Sequence, residues 1–161
     1  MNWAFILDFL IEIAYLLLVF GVTLAIAIFK GRQAVINIIC GLYLALLISI
    51  EFPYYDKVFG TLADSGQVAM AKMAFFIFIA FFATKLFSRI MPDEFSENKF
   101  ESFGKKSLLA LGVTVLVMTF SFHVLPVTEF LSPGTPIQSL FAPAEYFFWW
   151  LLAPLVLLYL N

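Results

Sequence analysis

Residues 13–29 read IAYLLLVFGVTLAIAIF, and this uncharged stretch decides the fold. It stops at the sequence Lys-Gly-Arg, residues 30–32, where two cations follow a run without a single charge. A helix needs about 20 apolar residues to cross the ~30 Å hydrocarbon core of a bilayer. Together with the apolar residues that begin at Trp3, the stretch predicts one long transmembrane helix over residues 3–29.

The composition extends this conclusion to the whole chain of 161 residues. Hydrophobic residues make up 63% of it and charged residues 12%, against about 45–50% and about 25% in soluble globular proteins. One domain of this length cannot bury so much apolar surface in water, so the lipid bilayer is the expected partner. The net charge of −2 offers no basic surface to nucleic acid. Cys40 is the single cysteine, which excludes an internal disulfide and a cysteine metal site.

Four further apolar segments follow the first span, and the last of them is short and contains Pro154. The predicted helices cover residues 34–50, 68–90, 107–125 and 144–160, and a polar loop covers residues 92–106. We therefore predict an all-α membrane protein that forms a single domain over residues 1–161. It is a bundle of four transmembrane helices plus a short fifth apolar helix, which either crosses the membrane or lies in the interface.

Lysine and arginine residues are distributed unevenly between the two predicted sides of the membrane. Those after the first and third spans are Lys30, Arg32, Lys85, Arg89, Lys99, Lys105 and Lys106. Only Lys57 and Lys72 fall on the other side. Because loops rich in lysine and arginine stay in the cytoplasm, we expect loops 30–33 and 91–106 to be cytoplasmic and the N-terminus to lie outside.

Small residues recur every four positions in the first two spans. The second span carries Gly41, Ala45 and Ser49, and the first carries Gly21 and Ala25. Such stripes let helix backbones approach each other closely in a membrane. They predict a tight hairpin between spans one and two, or a face for self-association.

Polar residues within or beside the spans are the candidates for a site. Asp8 and Glu12 share one helix face because they are four residues apart; they indicate a proton or cation site, or a helix start that touches water. His123 has two interpretations. It is either a residue that senses pH or binds a metal, or an interfacial histidine that is hydrogen-bonded to a carbonyl. One histidine cannot complete a zinc site. For Asn37, in the second span, we expect a hydrogen bond to a neighbouring helix.

Common enzyme motifs are absent from the sequence. There is no His-Glu-x-x-His, no Gly-Lys-Ser/Thr phosphate loop, no Gly-x-Ser-x-Gly elbow and no dinucleotide fingerprint. None of the serines comes with an obvious base on a neighbouring span. We therefore expect no catalytic residue, no metal site and no cofactor.

The order of these features resembles the colicin V production protein family of bacterial inner-membrane proteins. The likeness covers roughly residues 3–125 and rests on the Phe-Lys-Gly-Arg turn at residues 29–32. It also rests on the order of the spans: a long first helix, a second span with small residues, a polar outer segment and a Phe-rich third span. The resemblance implies a location in the inner membrane and a role in envelope homeostasis or export. It carries over no catalytic residues.

Three functional hypotheses follow from the sequence. The first is a non-catalytic multi-pass membrane protein that acts by assembly with itself, as a homo-oligomer, or with partner membrane proteins. The alternative is a small transporter or channel subunit in which Asp8, Glu12 and His123 line a polar path near the outer face. The third is a membrane-embedded enzyme, against which the missing motifs argue.

Overall fold

The computed structural model describes residues 3–54, 57–58, 65–91, 101–123 and 136–160, and the long elements among them are all helical. In chain order the helices are α1 (Trp3–Lys30), α2 (Arg32–Glu51), α3 (Ser65–Ile90), α4 (Glu101–His123), α5 (Pro136–Phe141) and α6 (Ala144–Leu160). Four of these, α1 to α4, are long and apolar enough to cross a membrane. With the shorter apolar α6, they confirm the predicted all-α membrane bundle.

The predicted loop 92–106 is too long at its C-terminal end, because α4 already begins at Glu101. A helix satisfies its backbone hydrogen bonds internally, so it continues beyond the hydrocarbon as readily as within it. At 1.5 Å per residue, the 23 residues of α4 span about 35 Å, which exceeds the ~30 Å core. Polar residues such as Lys105 and Lys106 therefore belong to the helix. Residues 92–100 lie outside the described part of the chain.

Gly31 is the single residue between α1 and α2. Its φ of 87° lies in a region that residues with a Cβ rarely adopt. This backbone conformation turns the chain within one residue, so α2 starts directly after α1.

Helices α2 and α3 form an antiparallel seam. Phe52 and Phe75 pack with ring centroids 4.8 Å apart at one end. At the other end Gln33 Nε2 lies 3.4 Å from the sulfur of Met91. The full length of α2 thus runs beside α3. The α2 residues buried in the core are Val35, Ile39, Leu42, Ala45 and Leu46.

Helix α4 is the most buried of the long helices and lies between α1, α2 and α6. Against α6, a Cβ built on Gly112 would lie 3.6 Å from Pro154 Cβ. At the C-terminal end of α4, the rings of His123 and Phe147 are 4.5 Å apart. Helix α6 is therefore antiparallel to α4 and packs along it.

The antiparallel order gathers the cations at one end of the bundle. Six of the seven basic residues predicted to be cytoplasmic lie there, on the last turns of α1 and α3 and the first turns of α2 and α4: Lys30, Arg32, Lys85, Arg89, Lys105 and Lys106. The seventh, Lys99, is outside the described residues. The outward faces of α1 and α3 between the two ends expose large apolar side chains, including Leu18, Phe78 and Phe82. Hydrocarbon is the solvent that suits such faces.

Candidate functional site

The small-residue stripe of α2 is buried inside the chain. Ala45 is fully buried, and Gly41 and Ser49 are buried as well. A Cβ on Gly41 would lie 2.8 Å from the backbone nitrogen of Thr84, so α3 is the helix that approaches it. The tight contact thus joins spans two and three, whereas the sequence had indicated spans one and two or a second molecule.

The small-residue stripe of α1 lies on a different kind of surface. Gly21 is exposed, and a Cβ built on it would meet nothing within 4 Å. Ala25 is half-buried. The buried residues of α1, which are Glu12, Thr23 and Ala27, lie on the opposite side of the helix, since residues at 100° intervals place Gly21 about 160° from Thr23. The α1 stripe is therefore unoccupied by the described parts of the chain.

Glu12 is 1% exposed. Carboxyl groups are rare on membrane helices, and those that occur almost always face the interior of the bundle, as Glu12 does. Asp8, one turn earlier on the same face, is half-buried. Lys30 at the other end of α1 is 18 residues from Glu12, or about 27 Å along the helix. In a bilayer with a ~30 Å hydrocarbon core that begins at Lys30, Glu12 would therefore lie near the far edge, yet inside the protein. The structure brings this carboxyl into the bundle interior and leaves Asp8 at the rim.

A hydrogen bond between α1 and α4 lies about one helical turn from Glu12, in the direction of Lys30. Tyr15 Oη is 3.0 Å from Ser121 Oγ. Ser121 uses its own proton to donate to the carbonyl of Val117, at 2.7 Å. Because a serine hydroxyl has one proton and two lone pairs, Tyr15 is the donor to Ser121. Tyr15 of α1 and Ser121 near the end of α4 thus form a polar contact at the end of the bundle opposite the cations.

His123 is half-buried at the end of α4. Its Nε2 lies 2.8 Å from the carbonyl oxygen of Phe141, to which it donates in the neutral Nε2–H tautomer or when protonated. Its ring packs on Phe147. Of the two interpretations drawn from the sequence, the geometry fits the histidine bonded to a carbonyl, which ties α5 and α6 to α4. Among the described residues, no group of three or more His, Cys, Asp or Glu side chains could hold a metal ion.

Asn37 is 4% exposed, and its Oδ1 accepts a hydrogen bond of 3.2 Å from Gln33 Nε2. Gln33 lies one turn earlier in the same helix. The partner is therefore on α2 itself, contrary to the bond between helices that the sequence indicated. A polar pair four residues apart satisfies the amide oxygen without help from a neighbour.

A groove between α1 and α3 is the feature that sequence reasoning missed. The described parts of α1 and α3 share no extensive contact, since α2 and α4 separate them. The space between them has a volume of about 690 Å³. Lys30 and Lys85 line one end of it, and Tyr15 lies towards the other. The uneven packing of four helices creates this space, and no local pattern in the sequence marks it.

Comparisons of the chain with protein-family models, with curated proteins and with solved structures give no match. The candidate sites therefore rest on the geometry and chemistry of the chain itself.

Proposed function

We propose that this chain is a non-catalytic multi-pass membrane protein that acts by assembling with itself or with partner membrane proteins through the outward face of α1. The observation that carries the proposal is the contrast between the two small-residue stripes. The stripe around Gly41 is occupied by Thr84 of the same chain, whereas Gly21 has open space in front of it. A glycine on a lipid-facing surface gains nothing from lipid, but it lets a second helix backbone approach closely.

The face around Gly21 has the pattern of a helix interface. Ala14, Leu18, Gly21, Ala25 and Ile28 follow each other at intervals of three or four residues, so they form one stripe on α1. Leu18 is 63% exposed and Ile28 is 49% exposed. A partner helix would pack on the small residues and bury these larger ones.

The charge at the two ends of the bundle supports a proposed location and orientation. We place the basic end, with residues 30–33 and 91–106, in the cytoplasm and the N-terminus outside. Crossing by α6 would place residue 161 inside. The resemblance to the colicin V production protein family supports the bacterial inner membrane and a role in envelope homeostasis or export, in which the protein would serve as an assembly component.

Replacing Gly21 with Leu tests the proposal. Wild-type protein purified in mild detergent should elute as an oligomer or with a co-purifying membrane protein, and Gly21→Leu should elute as a monomer alone. Gly104→Leu is the matched control, because Gly104 is also exposed with nothing within 4 Å but lies on α4. A Gly21→Leu protein that assembles like the wild type would refute the assembly face.

The burial of Glu12 favours a second candidate, a small transporter or channel subunit. An ionisable residue inside a membrane bundle is expensive to keep, which makes it a candidate for carrying protons or cations. In proteoliposomes, Asp8→Asn combined with Glu12→Gln should abolish a cation or proton flux. Glu145→Gln, an exposed acid on the first turn of α6, should leave the flux intact. A wild type without flux for any tested ion would exclude this candidate.

A further inference from the structure

The groove between α1 and α3 opens to the surroundings of the bundle. Residues of α1 and α3 form its two walls, and its floor comes from α2 and α4, with Leu42 and Phe120 among the floor residues. On the α3 wall, the lining residues Ile77 and Phe81 are themselves 58% and 64% exposed. In a bilayer the groove would therefore face lipid directly.

The lining of the groove changes from charged to apolar along its length. Lys30, Lys85 and Ser88 line the end at the basic side of the bundle. Asn37 and Thr84 lie near this end as well, and most of the remaining lining is aliphatic or aromatic. None of the described residues that line the groove is acidic. A ligand that fits this pattern has an anionic end and a long apolar part.

The length of the groove suits an acyl chain. From Lys30 to Tyr15 the groove extends along 15 residues of α1, or about 22 Å. This exceeds the ~15 Å thickness of one hydrocarbon leaflet, so the acyl chain of a lipid from that leaflet can lie within it.

From this charge and shape we propose that the groove binds a phospholipid with an anionic headgroup, taken from the leaflet at the basic end. The phosphate lies between the ammonium groups of Lys30 and Lys85, and an acyl chain lies along the apolar part towards Tyr15. Lysine binds phosphate as a point charge, and basic residues at this depth attract anionic lipids. This site does not depend on the assembly face, which lies on the opposite side of α1.

Native mass spectrometry of the full chain tests the headgroup contact. The protein is held in detergent with equal amounts of phosphatidylglycerol and phosphatidylcholine of the same acyl chains. We expect the wild type to retain phosphatidylglycerol about tenfold over phosphatidylcholine. In the double variant Lys30→Gln/Lys85→Gln, the ratio of retained phosphatidylglycerol to phosphatidylcholine should fall close to one. The control is Lys105→Gln with Lys106→Gln, which removes the same charge at the same end from residues that do not line the groove; it should keep the wild-type ratio.

A second pair of variants tests the acyl-chain contact. Ala80 lines the groove and is half-buried, so Ala80→Phe fills it and should remove both lipid adducts. Ala74 lies on the same helix, is exposed and does not line the groove, so Ala74→Phe should retain them.

Three results would overturn the proposal. An unchanged preference for phosphatidylglycerol in the double lysine variant would exclude the headgroup contact. Full lipid retention by Ala80→Phe would exclude the groove as the site. A photo-crosslinker placed at Ile77 that captures a second protein in place of lipid would show that another chain occupies the groove.

Discussion

Gly41 of α2 lies directly against the backbone of Thr84 in α3. A Cβ built on Gly41 would be 2.8 Å from the Thr84 nitrogen and 3.0 Å from its Cα, closer than side chains normally come. Backbone atoms cannot move aside as a flexible side chain can. This contact explains why the stripe around Gly41 is closed to other molecules, whereas Gly21 is exposed with nothing within 4 Å of a Cβ built on it.

Gly41→Ala should destabilise the chain by about 1–3 kcal/mol, because the added methyl forces α2 and α3 apart. Gly112→Ala is the matched change, since its Cβ would meet Leu157 and Pro154 at 3.5 and 3.6 Å, which is ordinary contact. It should be neutral or slightly stabilising, because alanine favours helix over glycine by up to about 1 kcal/mol. Thermal unfolding in detergent measures both. Equal stability of the two variants would contradict the assigned seam.

Tyr15→Phe should cost about 0.6 kcal/mol, the average value for a hydrogen bond between membrane helices. The physical reason is the loss of the Tyr15 donor to Ser121 Oγ. A double-mutant cycle with Ser121→Ala isolates this bond by its non-additivity. Tyr159→Phe is the control, because Tyr159 is 89% exposed and should show no coupling to Ser121. Strict additivity of the Tyr15 and Ser121 changes would argue against the bond.

His123→Ala should loosen α5 without unfolding the bundle. It removes the hydrogen bond to the Phe141 carbonyl and the ring contact with Phe147. With a net value of about 1 kcal/mol for the hydrogen bond, amides 137–142 should exchange hydrogen about fivefold faster, while α2 amides stay unchanged. The measurement is hydrogen exchange followed by mass spectrometry. Unaltered exchange in residues 137–142 would show that His123 does not hold α5.

Cysteine labelling in spheroplasts tests the orientation and the crossing by α6. In a Cys40→Ala background, an impermeant maleimide should label Lys57→Cys from outside. Lys106→Cys and Tyr159→Cys should react only after permeabilisation, because both should lie in the cytoplasm. External labelling of Lys106→Cys would reverse the orientation. External labelling of Tyr159→Cys alone would show that α6 does not cross.

The helices could be predicted from the sequence because hydropathy is a local property. The predicted bounds of α1 and α6 differ from those of the structure by at most one residue. The start of α4 was placed six residues too late, since polarity marks the end of the hydrocarbon and a helix does not end there. Local patterns therefore identify spans better than they identify helix termini in water.

The contacts between helices could not be predicted in the same way. The spacing of Gly41, Ala45 and Ser49 shows that a close approach occurs, but it does not say which helix approaches. The burial of Glu12 and the groove bounded by Lys30 and Lys85 depend on the order of helices around the bundle. That order is set by long-range packing, which a single sequence does not display.

The most direct test of the assembly face compares two equally exposed apolar positions by photo-crosslinking in the membrane. Leu18 on α1 is 63% exposed and Phe78 on α3 is 67% exposed. With p-benzoylphenylalanine in place of each in turn, we expect a protein adduct from position 18, either with a second copy or with a partner. We expect none from position 78, because that side chain faces lipid. Absence of a protein adduct from position 18 would contradict the assembly face.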